Sequence, residues 1–475
     1  MTMAKETIPD FIVKNNFFVR PSSRNGLWVF FLLPISIIIS LMKHPVILTP
    51  HYKFATLVSF TLICNSLYII SRYIKNQKLK IIHICPLTIS VLTGTLFNIC
   101  LHKGWIFSLA NGFLITLGFL HMYRFLLNKL KYSFTLGEAG LVAQTIILFV
   151  NSLFYNIFHM LSIQERKYRS KMQTCTLIIQ VGLLGLMLLS YIVYMFNIKG
   201  PKTFYLTAFI TITLSVIVPL HLIMDQSPLI WIFEQVLSDI LLLKLFIYWS
   251  FCIAVAVLAV RNQIFYAKKA STSVRKIFHI ISVLVYIPGL YYRCSFFYLS
   301  TGVVLGIFFA LEILRIQSIP PLGSQLQEGY IVFNDEKDSG LLALTPIYLL
   351  TGISLPIWIH PAPCDVTDSA QFTLLPVLSG LLSIGIGDTS ASYIGSNFGR
   401  LKWKGTSKTI EGTLAYIFSQ MGFIYLLHFI GCLAMLDNEQ IVRISLAVLV
   451  TAIVEAKTSQ IDNLVLPFIM YIFLV

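Results

Sequence analysis

The chain has 475 residues, of which 57% are hydrophobic and only 12% are charged. Soluble globular proteins carry about a quarter charged residues, so this composition excludes an ordinary soluble domain. The formal net charge is +15, but the basic residues gather in short breaks between apolar runs. This distribution is typical of Lys and Arg retained on the cytoplasmic side of a membrane. It gives no reason to expect a nucleic-acid partner, and no protein partner is indicated.

Long apolar runs follow one another along most of the chain, for example at residues 26–42, 54–70, 172–196 and 204–223. Crossing a bilayer takes roughly 20 apolar residues. A segment in lipid must also satisfy its own backbone hydrogen bonds, which a helix does. We therefore predict an all-α, polytopic transmembrane helical bundle of about 13–15 spans.

The character of the sequence changes near residue 265. Before it, apolar runs contain few ionisable residues; after it, such residues lie within or beside the runs. We predict an N-terminal multi-span membrane region at residues 1–265 and a C-terminal membrane domain at 266–475 that carries the chemistry. In the N-terminal region, the segment 133–144 places Ser133 or Thr135 before Glu138, which is a helix-capping pattern.

The clearest chemical signal is the segment 385–414, GIGDTSASYIGSNFGRLKWKGTSKTIEGTL. Asp388 follows a long apolar stretch, and an ionisable group at such a depth needs a cation or a metal as its partner. Small residues recur at every fourth position and would let another helix approach closely; they are Ser379, Ser383, Gly387, Ala391, Gly395 and Gly399. Helix packing alone also explains this stripe, but the acid beside it favours a site.

A basic break follows the stripe and contains Arg400, Lys402, Lys404, Gly405 and Lys408. A glycine-containing loop that leads into a helix N-terminus offers backbone N–H groups to phosphate. Lysine adds a mobile point charge for phosphate oxygens. A basic cytoplasmic loop explains the charge but not the Gly, Thr and Glu pattern. The spacing is not that of a Walker A loop.

The basic residues Arg275 and Lys276 lie with His279 in the sequence RKIFH, just inside a span. Their spacing puts them on one helical face. They could bind phosphate there, and His279 could move a proton. An anchor at the membrane edge, with a histidine that serves only packing, would explain the same residues.

Two pairs of charged residues that include an acid occur near the ends of other apolar runs. Glu312 and Arg315 are three residues apart, as in a simple helix pair. Glu455 and Asp462 are seven residues apart and share a face if their helix is continuous. Carboxylate oxygens of this kind suit Mg²⁺ or Ca²⁺ bridging a nucleotide. The eight cysteines include no CxxC pair, so buried free thiols are expected.

Four motifs together resemble the dolichol kinases, the CTP-dependent polyprenol kinases. They are RKIFH, the DSG of residues 338–340, the segment GDTSASYIGSNFGRLKWKGTSKTIEGT and EAKTSQIDN. The SFTLGEA of residues 133–139 also fits the long eukaryotic form. The resemblance is firm over about residues 270–475, and a GD-x-x-A pattern alone would also fit phytol kinases and phosphatidate cytidylyltransferases.

The resemblance implies a multi-pass enzyme of the endoplasmic reticulum membrane with a nucleotide segment that faces the cytosol. It would transfer the γ-phosphoryl group of CTP to dolichol, giving dolichyl phosphate and CDP for glycosylation. The carboxylates described above add the expectation of a divalent cation, Mg²⁺ or Ca²⁺, as cofactor. The residues implied for CTP binding are Gly399, Arg400, Lys402, Lys404, Gly405, Thr406, Ser407, Lys408, Thr409, Glu411, Gly412, Arg275 and Lys276. Lys404 and Ser407 depart from the family pattern, where a proline and a second lysine are common.

The catalytic residues are expected to be Asp388, Lys408 and His279, with either His279 or Asp388 as the base. The expected metal ligands are Asp388, Glu455 and Asp462. Other functions stay open at this point: a phytol or other polyprenol kinase, a cytidylyltransferase that makes a CDP-lipid, and a secondary transporter, in which buried acids and broken helices also occur.

Overall fold

A computed structural model describes residues 9–44, 49–160, 170–266, 269–334, 340–433 and 437–475. In these ranges the chain is helical and has no strand. The helices are α1 (Asp10–Asn15), α2 (Leu32–Lys43), α3 (Pro50–Ile74), α4 (Ile84–Leu101), α5 (Trp105–Lys129), α6 (Leu136–Met160), α7 (Lys171–Met195), α8 (Pro201–Ile212), α9 (Val218–Met224), α10 (Pro228–Ser238), α11 (Ile240–Phe265), α12 (Thr272–Tyr292), α13 (Cys294–Ile316), α14 (Gly323–Phe333), α15 (Leu344–Ile359), α16 (Leu374–Val377), α17 (Thr389–Phe398), α18 (Ile410–Phe429), α19 (Asn438–Lys457) and α20 (Asp462–Leu474). A 3₁₀ segment lies at Leu27–Phe31, and π-helical segments lie at Thr213–Ile217 and Leu381–Asp388.

Ten helical segments in the described ranges are long and apolar enough to cross a membrane. Four shorter apolar helices accompany them, at Leu27–Lys43, Pro228–Ser238, Leu344–Ile359 and Asp462–Leu474. The predicted class, an all-α polytopic membrane protein, is confirmed. The predicted number of about 13–15 spans is reached only when the shorter helices are counted as well.

Local sequence signals begin several of these helices. Ser170 caps α7 and forms a capping box with Gln173, and Asp437 does the same for α19 with Gln440. In each box a side-chain oxygen accepts a backbone N–H of the first turn, which has no partner inside the helix. These helix starts therefore follow from a few residues of sequence.

The described residues form two compact units. The first contains the chain up to Phe154 together with residues 340–342 and Ser459–Ile461, and the second contains the rest. These units are defined by packing and do not test the predicted functional division between residues 1–265 and 266–475, which stays a prediction.

A buried ion pair lies inside the first unit. Arg20 Nη2 donates to Glu138 Oε1 at 2.6 Å, and Glu138 has no exposed surface. Glu138 also accepts the backbone N–H groups of Thr135 at 2.9 Å and of Ile461 at 3.0 Å. The predicted cap is confirmed, with Thr135 rather than Ser133 as the capping residue. Because a buried carboxylate needs several partners, this one side chain joins three segments of the unit.

In the second unit, the π-helical segment Leu381–Asp388 packs against α12, α18 and α20. The small residues predicted to form a stripe do permit this close packing. A Cβ atom on Gly387 would meet the ring of Tyr416 at 2.6 Å, and one on Gly395 would meet Thr409 Oγ1 at 3.0 Å. The π-helical hydrogen bonding interrupts the regular fourth-residue spacing immediately before Asp388, a feature that often accompanies functional sites.

The expectation of free thiols is wrong for two cysteines. Cys294, at the start of α13, forms a disulfide with Cys364, which lies in the loop after α15. The two are 70 residues apart in the sequence, so no local spacing could indicate the pair. Cys175 and Cys252 are buried and free, as expected.

Candidate active site

A tight basic turn connects α17 to α18. The N–H of Ile410 donates to the carbonyl of Leu401 at 2.8 Å, and the N–H of Trp403 donates to that of Lys408 at 3.0 Å. The turn itself is possible because Gly405 has a φ of +80°, which favours glycine. Residues 400–409 are called the basic hairpin below.

The basic hairpin is fixed to the first turn of α18. The Glu411 carboxylate accepts the N–H groups of Arg400 and Leu401, each at 3.0 Å. The indole N–H of Trp403 donates to Thr413 Oγ1 at 2.9 Å. These contacts hold the hairpin backbone while the Arg400 side chain stays exposed.

Three N–H groups at the start of α18, those of Ile410, Gly412 and Thr413, already have partners within the protein. The Thr409 side chain accepts the N–H of Gly412, the Thr409 carbonyl accepts that of Thr413, and Ile410 bonds to Leu401 as described above. In this arrangement Thr409 and Gly412 shape the helix start. A phosphate held here would therefore depend on the basic side chains of the hairpin more than on the helix N-terminus.

Lys408 leads from the hairpin into a group of carboxylates. Its ammonium group forms an ion pair with Glu455, which is 2% exposed, and lies 3.7 Å from Asp462 Oδ2. Burial acts to lower the pKa of Lys408, but the carboxylates of Asp462, Glu455 and Asp388 outweigh it and raise the pKa above its usual value. Lys408 is therefore a permanent cation at neutral pH.

Glu455 and Asp462 reach Lys408 by a route that the sequence did not indicate. The continuous helix that would have placed them on one face is absent from this segment: α19 ends at Lys457, and α20 begins at Asp462. Residues 458–461 form a turn between the two helices. The two carboxylates converge because they come from the end of one helix and the start of the next.

Asp388 faces the protein interior and is 4% exposed. Its carboxylate forms an ion pair with Lys276, and its Oδ2 lies 3.7 Å from His279 Nε2. The Ser392 hydroxyl donates to its other oxygen at 3.4 Å. The expectation that Asp388 has a cationic partner is confirmed, and that partner comes from the RKIFH motif of α12.

The ion pair of Asp388 and that of Lys408 lie in one packed region, because the segment Leu381–Asp388 packs against α12, α18, α19 and α20. We call the five residues together the lysine–carboxylate cluster: Lys276, Asp388, Lys408, Glu455 and Asp462. Two ammonium groups face three carboxylates, so the cluster has one negative charge in excess when His279 is neutral. An anionic nucleotide can bind beside such a group only with additional positive charge.

Comparison with known proteins identifies the family. The family model for dolichol kinase matches residues 108–350. The dolichol kinase of Mus musculus is 35% identical over 375 residues, which cover 76% of this chain and 68% of that protein. The chain belongs to the dolichol kinase family. The Homo sapiens dolichol kinase is 34% identical over the same coverage, and the Saccharomyces cerevisiae enzyme is 30% identical over 263 residues, 53% of this chain and 46% of that enzyme. No solved structure matches the chain.

The family model covers only part of the candidate site. The residues that match the dolichol kinase model include RKIFH of α12 but end before Asp388. The positions of the basic hairpin and of the cluster carboxylates thus come from the structure alone. Their predicted roles in CTP binding and catalysis stay predictions.

The carboxylates supply oxygen atoms of the type that binds a divalent cation together with phosphate. No group of three or more His, Cys, Asp or Glu side chains within the described residues could hold a metal ion by itself. Asp388, Glu455 and Asp462 instead pair with lysines. At nucleotide sites, Mg²⁺ commonly takes only one or two carboxylates and completes its shell with phosphate oxygens and water. Oxygen donors of this type are present.

Other residues singled out in the sequence lie apart from the cluster contacts. Lys402, Lys404 and Ser407 are exposed on the hairpin. Glu312 and Arg315 form the predicted helix pair at 2.7 Å, and the Arg315 guanidinium also lies over the ring of Tyr330. In the DSG motif, residues 338 and 339 lie outside the described residues.

Proposed function

We propose that this chain transfers the γ-phosphoryl group of CTP to the terminal hydroxyl of dolichol at the lysine–carboxylate cluster. The products are dolichyl phosphate and CDP, and dolichyl phosphate serves protein glycosylation. The observation that carries the proposal is the convergence of two lysines and three carboxylates where an exposed basic hairpin meets apolar helices. A water-soluble nucleotide and a lipid alcohol can both reach such a place.

The charges of the site indicate how CTP is held. The exposed side chains of Arg400, Lys402 and Lys404 attract an anion to the hairpin. Lys408 is the hairpin lysine that contacts the cluster carboxylates, so it is the residue proposed to contact the terminal phosphates. Because the cluster itself has an excess negative charge, we propose that CTP binds with a divalent cation, Mg²⁺ or Ca²⁺. Glu455 and Asp462 would hold that ion, which would neutralise phosphate charge.

Phosphoryl transfer needs mainly positioning and charge neutralisation. The acceptor oxygen attacks the γ-phosphorus, the bond from that phosphorus to the β–γ bridging oxygen breaks, and CDP leaves with the electron pair. Lys276 and Lys408 neutralise the charge of the transferred group. The hydroxyl proton leaves through Asp388 and His279, which are 3.7 Å apart and act as a pair.

The disulfide supports an orientation in the membrane. Disulfides persist in the lumen of the endoplasmic reticulum and are rare in the cytosol. Cys294 directly follows α12, whereas Lys276 lies near its start, and the helix has 21 residues. That length is about 31 Å, close to the roughly 30 Å of a bilayer core. We therefore propose that the disulfide is luminal and that the cluster and hairpin face the cytosol.

In this orientation the basic break that ends at Lys171 would lie on the luminal side, unlike the basic hairpin. Lys171, at the start of α7, lies 3.2 Å from Asp368, which also accepts from the backbone and side chain of Ser295 beside the disulfide. This end of the second unit is the proposed luminal end. The positive charge at Lys171 is balanced there by Asp368, so it is compatible with a luminal position.

The orientation can be tested with single cysteines in sealed microsomes and a membrane-impermeant maleimide. The test pair is Lys404→Cys on the hairpin and Val366→Cys in the exposed loop beside the disulfide, in a background without the exposed Cys85 and Cys100. We expect labelling at position 404 without detergent and at position 366 only after detergent. The reverse pattern would contradict the proposed orientation.

The reaction can be tested with purified protein in lipid, dolichol and CTP labelled at the γ-phosphate. We expect label in dolichyl phosphate and an equal amount of CDP. Release of pyrophosphate would instead indicate a cytidylyltransferase, and preference for phytol would indicate a phytol kinase. Uptake into vesicles without nucleotide would support a transporter and contradict the proposal.

A further inference from the structure

Two polar side chains on α18 are completely buried next to the proposed catalytic aspartate. Tyr416 and Gln420 are one helical turn apart, and neither has exposed surface. Both face Gly387, the residue that precedes Asp388, since a Cβ atom on that glycine would collide with the Tyr416 ring and the Gln420 amide. The proposed function makes no use of either side chain.

These two side chains have more hydrogen-bonding capacity than the described residues satisfy. An amide has two donor hydrogens and an acceptor oxygen, and a phenol has one donor and an acceptor. The Tyr416 hydroxyl adjoins the Gln420 side chain, but one bond between them would leave most of this capacity unused. Neither the hydroxyl nor either amide atom has a hydrogen-bond partner of good geometry among the other described residues.

Other polar side chains of the same helix are paired. The Ser419 hydroxyl lies 2.6 Å from that of Ser390, and Thr413 accepts from the Trp403 indole at 2.9 Å. Polar groups that serve packing on α18 therefore have protein partners. Buried groups without them are costly, so Tyr416 and Gln420 need a reason to be polar that packing does not supply.

Their depth along α18 suggests what they bind. Counting from Ile410 at the helix start, Tyr416 lies about 9 Å and Gln420 about 15 Å along the helix axis. Lys408, the proposed phosphate ligand, precedes that start. The pair thus lies on the membrane side of the phosphate site, and the Tyr416 ring packs with Ala391, Ala452 and Leu466. An apolar molecule with a single polar end matches this combination.

We propose that Tyr416 and Gln420 bind the hydroxyl group of the isoprenoid alcohol and orient its oxygen toward the γ-phosphoryl group. This inference rests on the proposed function. The two side chains exchange no proton in the reaction: the acceptor oxygen forms its new bond to phosphorus, CDP leaves with the electron pair of the broken bond, and the proton passes to the Asp388–His279 pair. They are positioning residues: they select a lipid with a hydroxyl group and set the position of that hydroxyl along the axis of α18.

The test uses Tyr416→Phe and Gln420→Met in the full-length protein, because both changes keep the shape and remove the polar group. Tyr425→Phe, an exposed tyrosine on the same helix, is the matched control for the first. Ser419→Ala is the control for a polar group that serves packing. Initial rates are measured against dolichol and CTP separately, and thermal stability is measured for every variant.

We expect kcat/KM for dolichol to fall roughly three- to tenfold in Tyr416→Phe and in Gln420→Met, with KM for CTP unchanged. Thermal stability should be equal or higher in these two variants, because a buried group without sufficient partners is removed. Ser419→Ala should show the opposite pattern, lower stability with unchanged dolichol kinetics. Tyr425→Phe should match the wild type.

Two results would overturn the inference while leaving the proposed function intact. One is wild-type kinetics for dolichol in both test variants. The other is a loss of stability with equal changes for dolichol and CTP, which would show a structural role. If the wild-type protein makes no dolichyl phosphate from CTP, the proposed function fails, and this inference fails with it.

Discussion

Replacing Lys408 by Met separates the structural role of this lysine from its proposed role in catalysis. The change keeps an unbranched side chain and removes the ammonium group that faces Glu455 and Asp462. Two effects are expected. Stability falls because two buried carboxylates lose a nearby positive charge, and turnover falls because a proposed phosphate ligand is missing. A second change, Glu455→Gln, distinguishes them.

The size of the stability effect follows from the geometry. Two unit charges about 4 Å apart attract by about 4 kcal/mol at an effective dielectric constant of about 20, and Lys408 lies 3.7 Å from Asp462. Removing one partner of a fully buried pair costs about 3–5 kcal/mol. The Lys408 side chain is 34% exposed, so solvent screening reduces the effect. We expect Lys408→Met to lower the free energy of unfolding by about 2–3 kcal/mol.

The expected loss of turnover in Lys408→Met is estimated separately from the loss of stability. Loss of one charged group that stabilises a transition state lowers kcat by about 10²–10³-fold. The double variant Lys408→Met, Glu455→Gln removes one positive and one negative charge together. We expect it to recover part of the lost stability, because the more deeply buried of the two carboxylates that face Lys408 is neutralised. It should recover none of the lost turnover, because it also removes a proposed metal ligand.

The assays are transfer of labelled phosphate from CTP to dolichol and unfolding monitored in the same detergent. Lys402→Met is the matched control, since Lys402 is an exposed lysine of the same hairpin; its stability should stay within about 0.5 kcal/mol of wild type. Wild-type turnover in Lys408→Met would refute the proposed phosphate contact. Recovery of turnover together with stability in the double variant would show that Lys408 acts only on folding.

Three further perturbations have defined outcomes. Asp388→Asn should lower kcat by about 10²–10³-fold and leave CTP binding in a filter assay unchanged, because the carboxylate contacts Lys276 and is proposed to act on the acceptor hydroxyl; unchanged kcat would exclude Asp388 from the chemistry. Gly405→Ala puts a side chain at φ +80°, which costs about 1–2 kcal/mol, so KM for CTP should rise several-fold, and an unchanged KM would show that the hairpin shape does not affect binding. Glu138→Gln leaves Arg20 buried without its counter-charge and should destabilise the protein by about 3–5 kcal/mol, measured by thermal unfolding; equal stability would show that the negative charge of Glu138 does not stabilise the fold.

Composition and apolar run length were sufficient to predict the membrane class. They left the number of spans open because short apolar helices such as Leu344–Ile359 are below the length that the rule requires. Local patterns were reliable where the interaction is local. The cap formed by Thr135 and Glu138, and the pair formed by Glu312 and Arg315, need only three residues of spacing.

Long-range pairings could not be read from the sequence. Asp388 needs a cation because it is buried, but nothing in its neighbourhood indicates that Lys276, 112 positions earlier, provides the charge. The same holds for the disulfide between Cys294 and Cys364. Glu455 and Asp462 converge through a helix break, whereas seven-residue spacing indicated one continuous helix.

The importance of the buried pair on α18 was also missed. Tyr416 and Gln420 are ordinary residues of an apolar helix until the structure shows that both are fully buried beside Gly387. A glutamine inside an apolar run is a weak signal, since interhelical hydrogen bonds use it as well. The glutamine becomes informative only when the structure shows that its amide lacks sufficient hydrogen-bond partners among the described residues.

The most direct test of the central claim is an experimental structure of the protein with a non-hydrolysable CTP analogue and a divalent cation. The measured quantity is the distance from Lys408 Nζ to the terminal phosphate oxygens. We expect these atoms to lie at hydrogen-bonding distance, with Asp388 on the membrane side of that phosphate. A nucleotide bound elsewhere, with Lys408 still paired to Glu455, would contradict it.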